Sequence, residues 1–531
     1  MSFRKFSQGC GECRKRKIKC DLQQPQCARC LKSARRCPGY RDQNELQFRN
    51  ETQAVIQLAK AGAHVPPSTS RRTSKSLIDE SLKTYLNSQS AKKRGHLFLL
   101  PIDSLVINAE HQASCFFLTN YTWIGSPALI HGVFDYRVDS AQAPLGERAL
   151  LAGVTAVGKA TVGNINKSSS LIHSARSDYS TSLRLTNAAV SAADQWNQDS
   201  TLVAIFLLSL FEVITGYEEV SIDNWLQHIN GSVKLLEMRG VDGLMNTPSL
   251  TTFRAWRDQI ILGCIYRRVP VPPTIIRLSA RLATASCSSI ETSSNQLTLL
   301  MARLSELRYH VASGLFDNDG IILKELSSIE SGLSIWLKQV SPSCAYKSFA
   351  ISDIIDMGQG SSLHPYRGLC HRYPDLSSAL MWNNYRITRI LVYDMILSQL
   401  RPLATMRGYA IQNKEAQTKC SEMRKEMRKL ADEICYSAPD ILGVLDLHAS
   451  NSEPSQLKSS AGGFVLLFPL SFAVVVDDHP SSLSEWVFEC FRVIAGVMGI
   501  HQALVLRKFL PTLCGQHSWA DTFHSFQECE N

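Results

Sequence analysis

From about residue 77 onward, apolar residues recur at i, i+3 and i+4 through long segments and alternating runs are few, so the sequence predicts a large, predominantly helical region. Within it, Asp199-Ser200-Thr201 supplies N-cap candidates for a helix running to about Ile214. That helix is apolar on every face and belongs in a core. Stretches at about 284 to 295, 342 to 370 and 449 to 462 are rich in Ser, Gly and Pro and read as loops between helical blocks. The longest apolar run, Phe464 to Val476, is broken by Pro469 and Ser471. It falls short of the ~18 residues that would span a bilayer, and no transmembrane helix is predicted.

The N-terminal pattern is different. Residues 1 to 40 hold only Ile18, Leu22 and Leu31 as larger aliphatics, too few for a core. Residues 41 to 61 look like a short helical extension, with Leu46, Phe48, Val55, Ile56 and Leu58 apolar. These cover less than two heptads where a coiled coil wants about three or four. Residues 62 to 76, Gly62-Ala63-His64-Val65-Pro66-Pro67 and a Ser/Thr/Arg run, read as a flexible linker. The chain therefore divides into 1–40, 41–61, 62–76 and a helical region over 77–531. A length of 531 residues agrees with at least two units, and 44% hydrophobic with 19% charged residues excludes a mostly disordered or collagenous chain.

The formal net charge of +9 acquires meaning once it is located. Residues 1 to 40 carry eleven Lys and Arg against Glu12 and Asp21, which is the whole excess; the other 491 residues hold 45 basic and 45 acidic side chains. Such a dense local charge is the footprint of a polyanion-binding segment, whereas the neutral remainder argues against attraction to a membrane surface. Met1 to Gln8 leads into cysteines and basic residues with no apolar segment, so no secretory signal is expected and the protein should stay inside the cell.

Six of the 16 cysteines lie in the first 37 residues, and the other ten follow no spacing rule. Cys10, Cys13 and Cys20 stand at offsets of 0, 3 and 10, and Cys27, Cys30 and Cys37 repeat those offsets seventeen residues later. In a chain not routed to an oxidising compartment, the pattern C-x2-C-x6-C-x6-C-x2-C-x6-C points to metal before disulfides. Zinc takes four tetrahedral ligands and suits thiolates. Two zinc ions need eight ligand places, which six thiolates supply if two of them bridge; a mononuclear ribbon using four of the six, or an iron–sulfur site, are the other readings. Two zinc ions and six thiolates sum to −2, leaving residues 1 to 40 at about +7.

The segment Cys10 to Cys37 resembles the DNA-binding domain of fungal binuclear zinc cluster transcription factors. The likeness rests on the cysteine pattern, the basic stretch Arg14-Lys15-Arg16-Lys17-Ile18-Lys19, Pro25 two residues before the fourth cysteine, and Cys27-Ala28-Arg29-Cys30-Leu31-Lys32. The resemblance implies two zinc ions held by Cys10, Cys13, Cys20, Cys27, Cys30 and Cys37, with Cys10 and Cys27 bridging. It implies a short helix after Cys13 that enters the major groove of double-stranded DNA, with Lys17 reading bases in a CGG-type triplet. Arg14, Arg16, Lys19, Lys32 and Arg35 are then phosphate contacts. Two further stretches, Ser221 to Gly240 and Trp382 to Ile390 with Tyr385, Arg386 and Arg389, are similar to the fungal-specific regulatory domain that follows this cluster in many such factors.

The expected fold is thus mostly α: a small binuclear zinc cluster domain followed by a large all-helical regulatory domain. The expected function is nuclear, sequence-specific regulation of transcription by RNA polymerase II, in a metabolic or secondary-metabolite pathway. Double-stranded DNA, transcription machinery or co-regulators are the partners, a homodimer is left open, and no membrane is involved. Rival readings make residues 77 to 531 an enzyme or ligand receptor, or make the cluster an RNA-binding or protein-docking module. The first requires a convergent acid, base and nucleophile, and the sequence shows none.

Other signals are weaker. Gly153-Val154-Thr155-Ala156-Val157-Gly158-Lys159-Ala160 comes one residue from a phosphate-binding loop, but Ala160 replaces the metal-ligating hydroxyl and the flanks read as helix. Asp317-Asn318-Asp319-Gly320 reads as a surface turn and not a calcium loop, and His228 as a packed helical histidine. The tail Trp519 to Glu530 reads as a frayed terminus, with a weak activation segment as the alternative.

Overall fold

The structure, a computed structural model, describes residues 10–16, 18–23, 26–38, 109–121, 142–216, 220–244, 249–284, 288–316, 318–350, 363–405, 410–443, 460–476 and 481–513. The expected extension at 41–61, the linker at 62–76 and the tail at 519–530 lie outside these residues. The chain divides into two units, Met1–Leu100 and Pro101–Asn531.

In the first unit two five-residue helices, α1 (Gly11–Lys15) and α2 (Ala28–Lys32), are related by the seventeen-residue repeat. Their hydrogen bonds repeat as well: Ile18 N–H donates to the Cys13 carbonyl and Arg35 N–H to the Cys30 carbonyl, each at 3.0 Å. Among the described residues the buried hydrophobic centre is made of cysteines, in keeping with the shortage of aliphatic residues.

The second unit is helical. Its helices are α3 (Ala109–Tyr121), α4 (Leu145–Ile165), α5 (Ser169–Ser191), α6 (Asp199–Thr215), α7 (Val220–Leu244), α8 (Ser249–Arg267), α9 (Pro273–Thr284), α10 (Ser289–Ala312), α11 (Asp319–Gln339), α12 (Leu376–Thr405), α13 (Ala410–Ile441), α14 (Ser460–Val474), α15 (Ser482–Val497) and α16 (Gln502–Leu513). The mostly α architecture is the one expected. α6 is buried from Ser200 to Ile214 and is enclosed by α4, α5, α7, α8 and α16, so its all-round apolarity has a partner on each side. Its N-cap is Gln198 and makes no side-chain cap; Asp199, expected to cap, instead accepts from Arg239 Nη1 on α7 at 2.8 Å. The apolar run at 464–476 falls in and just after α14, whose residues are almost wholly buried. No helix among the described residues is long and apolar enough to cross a membrane.

Two expected loops contain structure. The stretch 284–295 is mostly the first turns of α10, where Ser288 and Glu291 form a reciprocal capping box; its serines mark a helix start. The stretch 342–370 holds a two-stranded antiparallel ribbon, β1 (Lys347–Ala350) and β2 (Leu369–Arg372), with Ser348 opposite His371 and Phe349 opposite Cys370. β2 lies against α13. Asn318, expected in a turn, caps α11 by accepting the Gly320 N–H at 2.9 Å.

The unit closes on itself across most of its length. Asn164 Nδ2 on α4 donates to the carbonyls of Ile214 at 2.9 Å and Gly499 at 2.8 Å, and His501 N–H donates to Ile214 at 3.0 Å. Gly499 has φ of 71°, and a Cβ there would stand 2.5 Å from the Thr161 carbonyl oxygen.

Candidate metal centre and nucleic-acid interface

The cysteine sulfurs converge because of the way the two short helices begin. Cys27 is the N-cap of α2, and its Sγ accepts the Cys30 N–H at 3.3 Å; Cys10 stands in the same relation to α1, accepting the Cys13 N–H at 3.4 Å. Turning both helices inward from these two residues brings Cys10 Sγ and Cys27 Sγ to 3.6 Å. Around them the six sulfurs form two overlapping quartets, Cys10, Cys13, Cys20, Cys27 and Cys10, Cys27, Cys30, Cys37, the sulfurs within each lying within 4.8 Å of one another. Only Cys10 and Cys27 are in both.

Buried and packed against one another, the Cys13, Cys27 and Cys30 thiols resist ionisation. Burial, then neighbouring thiols, pushes Cys13 up to about 12, and burial pushes Cys27 and Cys30 up as well. Cys20 is the exception: burial opposes its thiolate, but the backbone N–H groups of Cys10 and Leu22 outweigh burial and bring it down to about 7. Two sets of four soft donors sharing two members fit a pair of zinc ions, which would replace the mutual repulsion of the thiolates with bonds to metal.

Of the basic residues expected at the interface, Arg16, Lys19, Lys32 and Arg35 are exposed. So are Lys15, Arg29 and Arg36. Arg14 lies on α1, and Lys17 lies outside the described residues. The helix expected after Cys13 starts earlier, at Gly11, and contains Cys13. Two of the expected phosphate contacts also join the halves: Arg35 Nη1 pairs with Glu12 Oε1 at 3.0 Å, and Arg16 Nη1 donates to Ser33 Oγ at 3.2 Å. Asp21 Oδ2 accepts the Ala28 N–H at 2.9 Å. Glu12 and Asp21 were not singled out in the sequence, although two acids retained among eleven cations were a readable signal.

In the second unit the two stretches similar to the regulatory domain do structural work. Arg386 on α12 is wholly buried; it pairs with Glu433 on α13 at 3.1 Å, donates to Tyr373 Oη at 2.7 Å and lies over the Tyr346 and Trp382 rings. One turn on, Arg389 reaches Glu330 on α11 at 2.8 Å and Tyr385 Oη at 2.7 Å. His228 on α7 meets Tyr179 Oη at 2.9 Å, and that hydroxyl donates to Glu212 at 2.5 Å. The phosphate-loop-like segment is inside α4, where Lys159 is buried and paired with Asp178 at 2.8 Å. Gly158 permits α3 to cross, since a Cβ there would meet the Ala113 carbonyl oxygen at 2.1 Å.

Comparison with known proteins agrees with this geometry. Residues 8–46 match the fungal Zn(2)-Cys(6) binuclear cluster domain, and residues 135–435 match the fungal specific transcription factor domain. The chain belongs to the fungal specific transcription factor family. The two matched domains are those of DNA-binding transcription factors, and a cluster domain of this kind binds two zinc ions. The chain is 24% identical over 210 residues to the transcription factor dbaG of Emericella nidulans, covering 38% of this chain and 46% of that protein. It thus spans about half the length of this curated relative. No solved structure matches the chain.

Proposed function

We propose that this chain acts in the nucleus as a sequence-specific regulator of transcription by RNA polymerase II, reading CGG-type half-sites in the major groove of duplex DNA. The observation that carries the reading is the pair of thiol quartets sharing Cys10 and Cys27. In this reading Cys13 and Cys20 complete one zinc site and Cys30 and Cys37 the other, with Cys10 and Cys27 bridging. The metal supplies the fold of a segment with no apolar core, and the protein supplies the contacts. Lys17 reads bases, while Arg14, Arg16, Lys19, Lys32 and Arg35 bind phosphate. Glu12 holds Arg35 and Ser33 receives Arg16, so these two cations are pre-oriented and lose less freedom on binding. The helical unit recruits co-regulators or a second copy of the chain, and the resemblance of the cluster points to nutrient use or secondary metabolism.

Selection of binding sites from random duplex DNA tests the reading directly. Lys17→Ala should cost roughly 1–3 kcal/mol on the selected site and little on random DNA. Lys32→Ala should weaken all sequences alike and lower the salt slope by about one. Failure to enrich any sequence, or equal retention of RNA, overturns the proposal.

A further inference from the structure

Helices α6, α7, α8, α14 and α16 meet around a cavity of about 60 Å3, several times the ~10–15 Å3 that a water molecule needs. Its wall is almost entirely apolar. Trp225 from α7, Tyr266 from α8 and Phe468 from α14 bring three rings to it; the Phe468 centroid lies 6.3 Å from that of Trp225 and 6.1 Å from that of Tyr266. Gly263 keeps α8 clear of the indole, since a Cβ there would stand 2.8 Å from Trp225 Cη2. Val213, Phe464 and Leu467 in the wall are buried, whereas Leu226, Phe468 and Leu506 are half-buried, so part of the wall faces solvent.

Water gains little in such a space, because it finds few partners there. The Ser471 hydroxyl already donates to the Leu467 carbonyl at 2.7 Å, Gln502 is engaged as well, and Arg267 is exposed. One polar group is left over. Trp225 is 6% exposed, and among the described residues its indole N–H has no acceptor. Other tryptophans of this unit show the usual arrangement: the Trp336, Trp382 and Trp486 N–H groups donate to the carbonyls of Ser293, Cys344 and His364 at 2.7, 2.8 and 2.7 Å. A buried donor left unmade is costly, so the cavity combines an apolar space with an unanswered N–H in its wall.

We propose that this cavity binds a small neutral aromatic carbonyl compound, its ring entering among Trp225, Tyr266 and Phe468 and its oxygen accepting from the Trp225 N–H. The ring gains apolar and edge-to-face contact that water cannot. The oxygen answers the buried donor, and a full charge is excluded because the wall has too few partners to replace its hydration. A bound ligand would tie α7 and α8 to α14 and α16. The inference concerns the helical unit alone and stands whatever sequence the zinc cluster reads.

The test uses the full zinc-loaded chain and three probes: acetophenone, ethylbenzene, which lacks the oxygen, and benzoate, which adds a charge. Acetophenone should raise the unfolding temperature saturably and bind by calorimetry with Kd below about 1 mM. Ethylbenzene should bind about fivefold more weakly, the worth of one hydrogen bond, and benzoate at least about tenfold more weakly. Trp225→Phe keeps a ring and removes the donor, so the preference for acetophenone over ethylbenzene should vanish. Leu506→Trp, at a half-buried place in the wall, should fill the space and weaken acetophenone at least about tenfold; with the native chain's own preference it decides the matter if Trp225→Phe does not fold. No saturable binding of acetophenone, equal binding of ethylbenzene or benzoate by the native chain, or undiminished binding by Leu506→Trp overturns the proposal. So does a preference for acetophenone that survives in Trp225→Phe.

Discussion

Cys10 and Cys27 each cap a short helix and each belong to both thiol quartets, so a single substitution removes a cap and a ligand from two places. Cys10→Ala or Cys27→Ala should release both zinc ions, whereas Cys20→Ala should retain one at partial occupancy; native mass spectrometry counts the ions, and equal partial loss in all three variants would refute the bridging roles. A second residue-scale prediction concerns pH. Burial raises the Asp440 carboxyl to about 6 against the Tyr373 N–H and Arg372, which favour its anion. Between about pH 4 and 6 the folded chain holds a proton there that the unfolded chain has released, so this group favours the fold in acid and costs stability as pH rises through 6. Asp440→Asn should therefore increase unfolding free energy in urea by about 2–3 kcal/mol at pH 7.5 and by little at pH 4. His371 has the opposite sense: burial and then Arg386 bring it down to about 3, so below about pH 6.5 the unfolded chain gains a proton that the folded chain lacks. The two slopes oppose each other in the native chain, and the Asn variant should lose stability more steeply on acidification.

At the scale of elements, the crossing of α3 over α4 depends on a missing side chain. A Cβ at Gly158 would be 2.1 Å from backbone, which cannot rotate away as a flexible side chain could. Gly158→Ala should destabilise the helical unit by about 1–3 kcal/mol by overpacking, measured as a lower urea midpoint with unchanged slope. The sequence displayed this glycine in a motif and left its purpose hidden, because the contact comes from a helix more than forty residues away. The same division runs through the molecule. The zinc site was legible because ligand chemistry and local spacing define it, and the helical class because its periodicity is local. The ribbon β1–β2 was not, since four-residue strands in a Ser- and Gly-rich stretch carry no usable alternation. Serines at 288 and 289 were read as loop although they begin a helix, composition being silent on which side of a cap a residue falls.

For the whole molecule, the separation of charge predicts a separation of tasks. The excess of nine positive charges lies in the first 40 residues, while the rest balances. Residues 1–62 should bind the selected DNA site without altering transcription from it, and residues 77–531 fused to an unrelated DNA-binding domain should alter transcription from the new site. A reporter assay with both checks this; full regulation by the short fragment would disprove it. The helical unit, by contrast, does not divide so readily. Asn164 waits for Gly499, a partner 335 residues later in the chain. At roughly 5–20 residues per second of synthesis, the interval between the two is some tens of seconds. Throughout that time the surface of α4 destined for the chain's last helices is uncovered on the ribosome. A message ending before codon 499 thus yields an unfinished core, not a shorter regulator, and slow decoding in this stretch lengthens the nascent chain's exposure to chaperones and proteases.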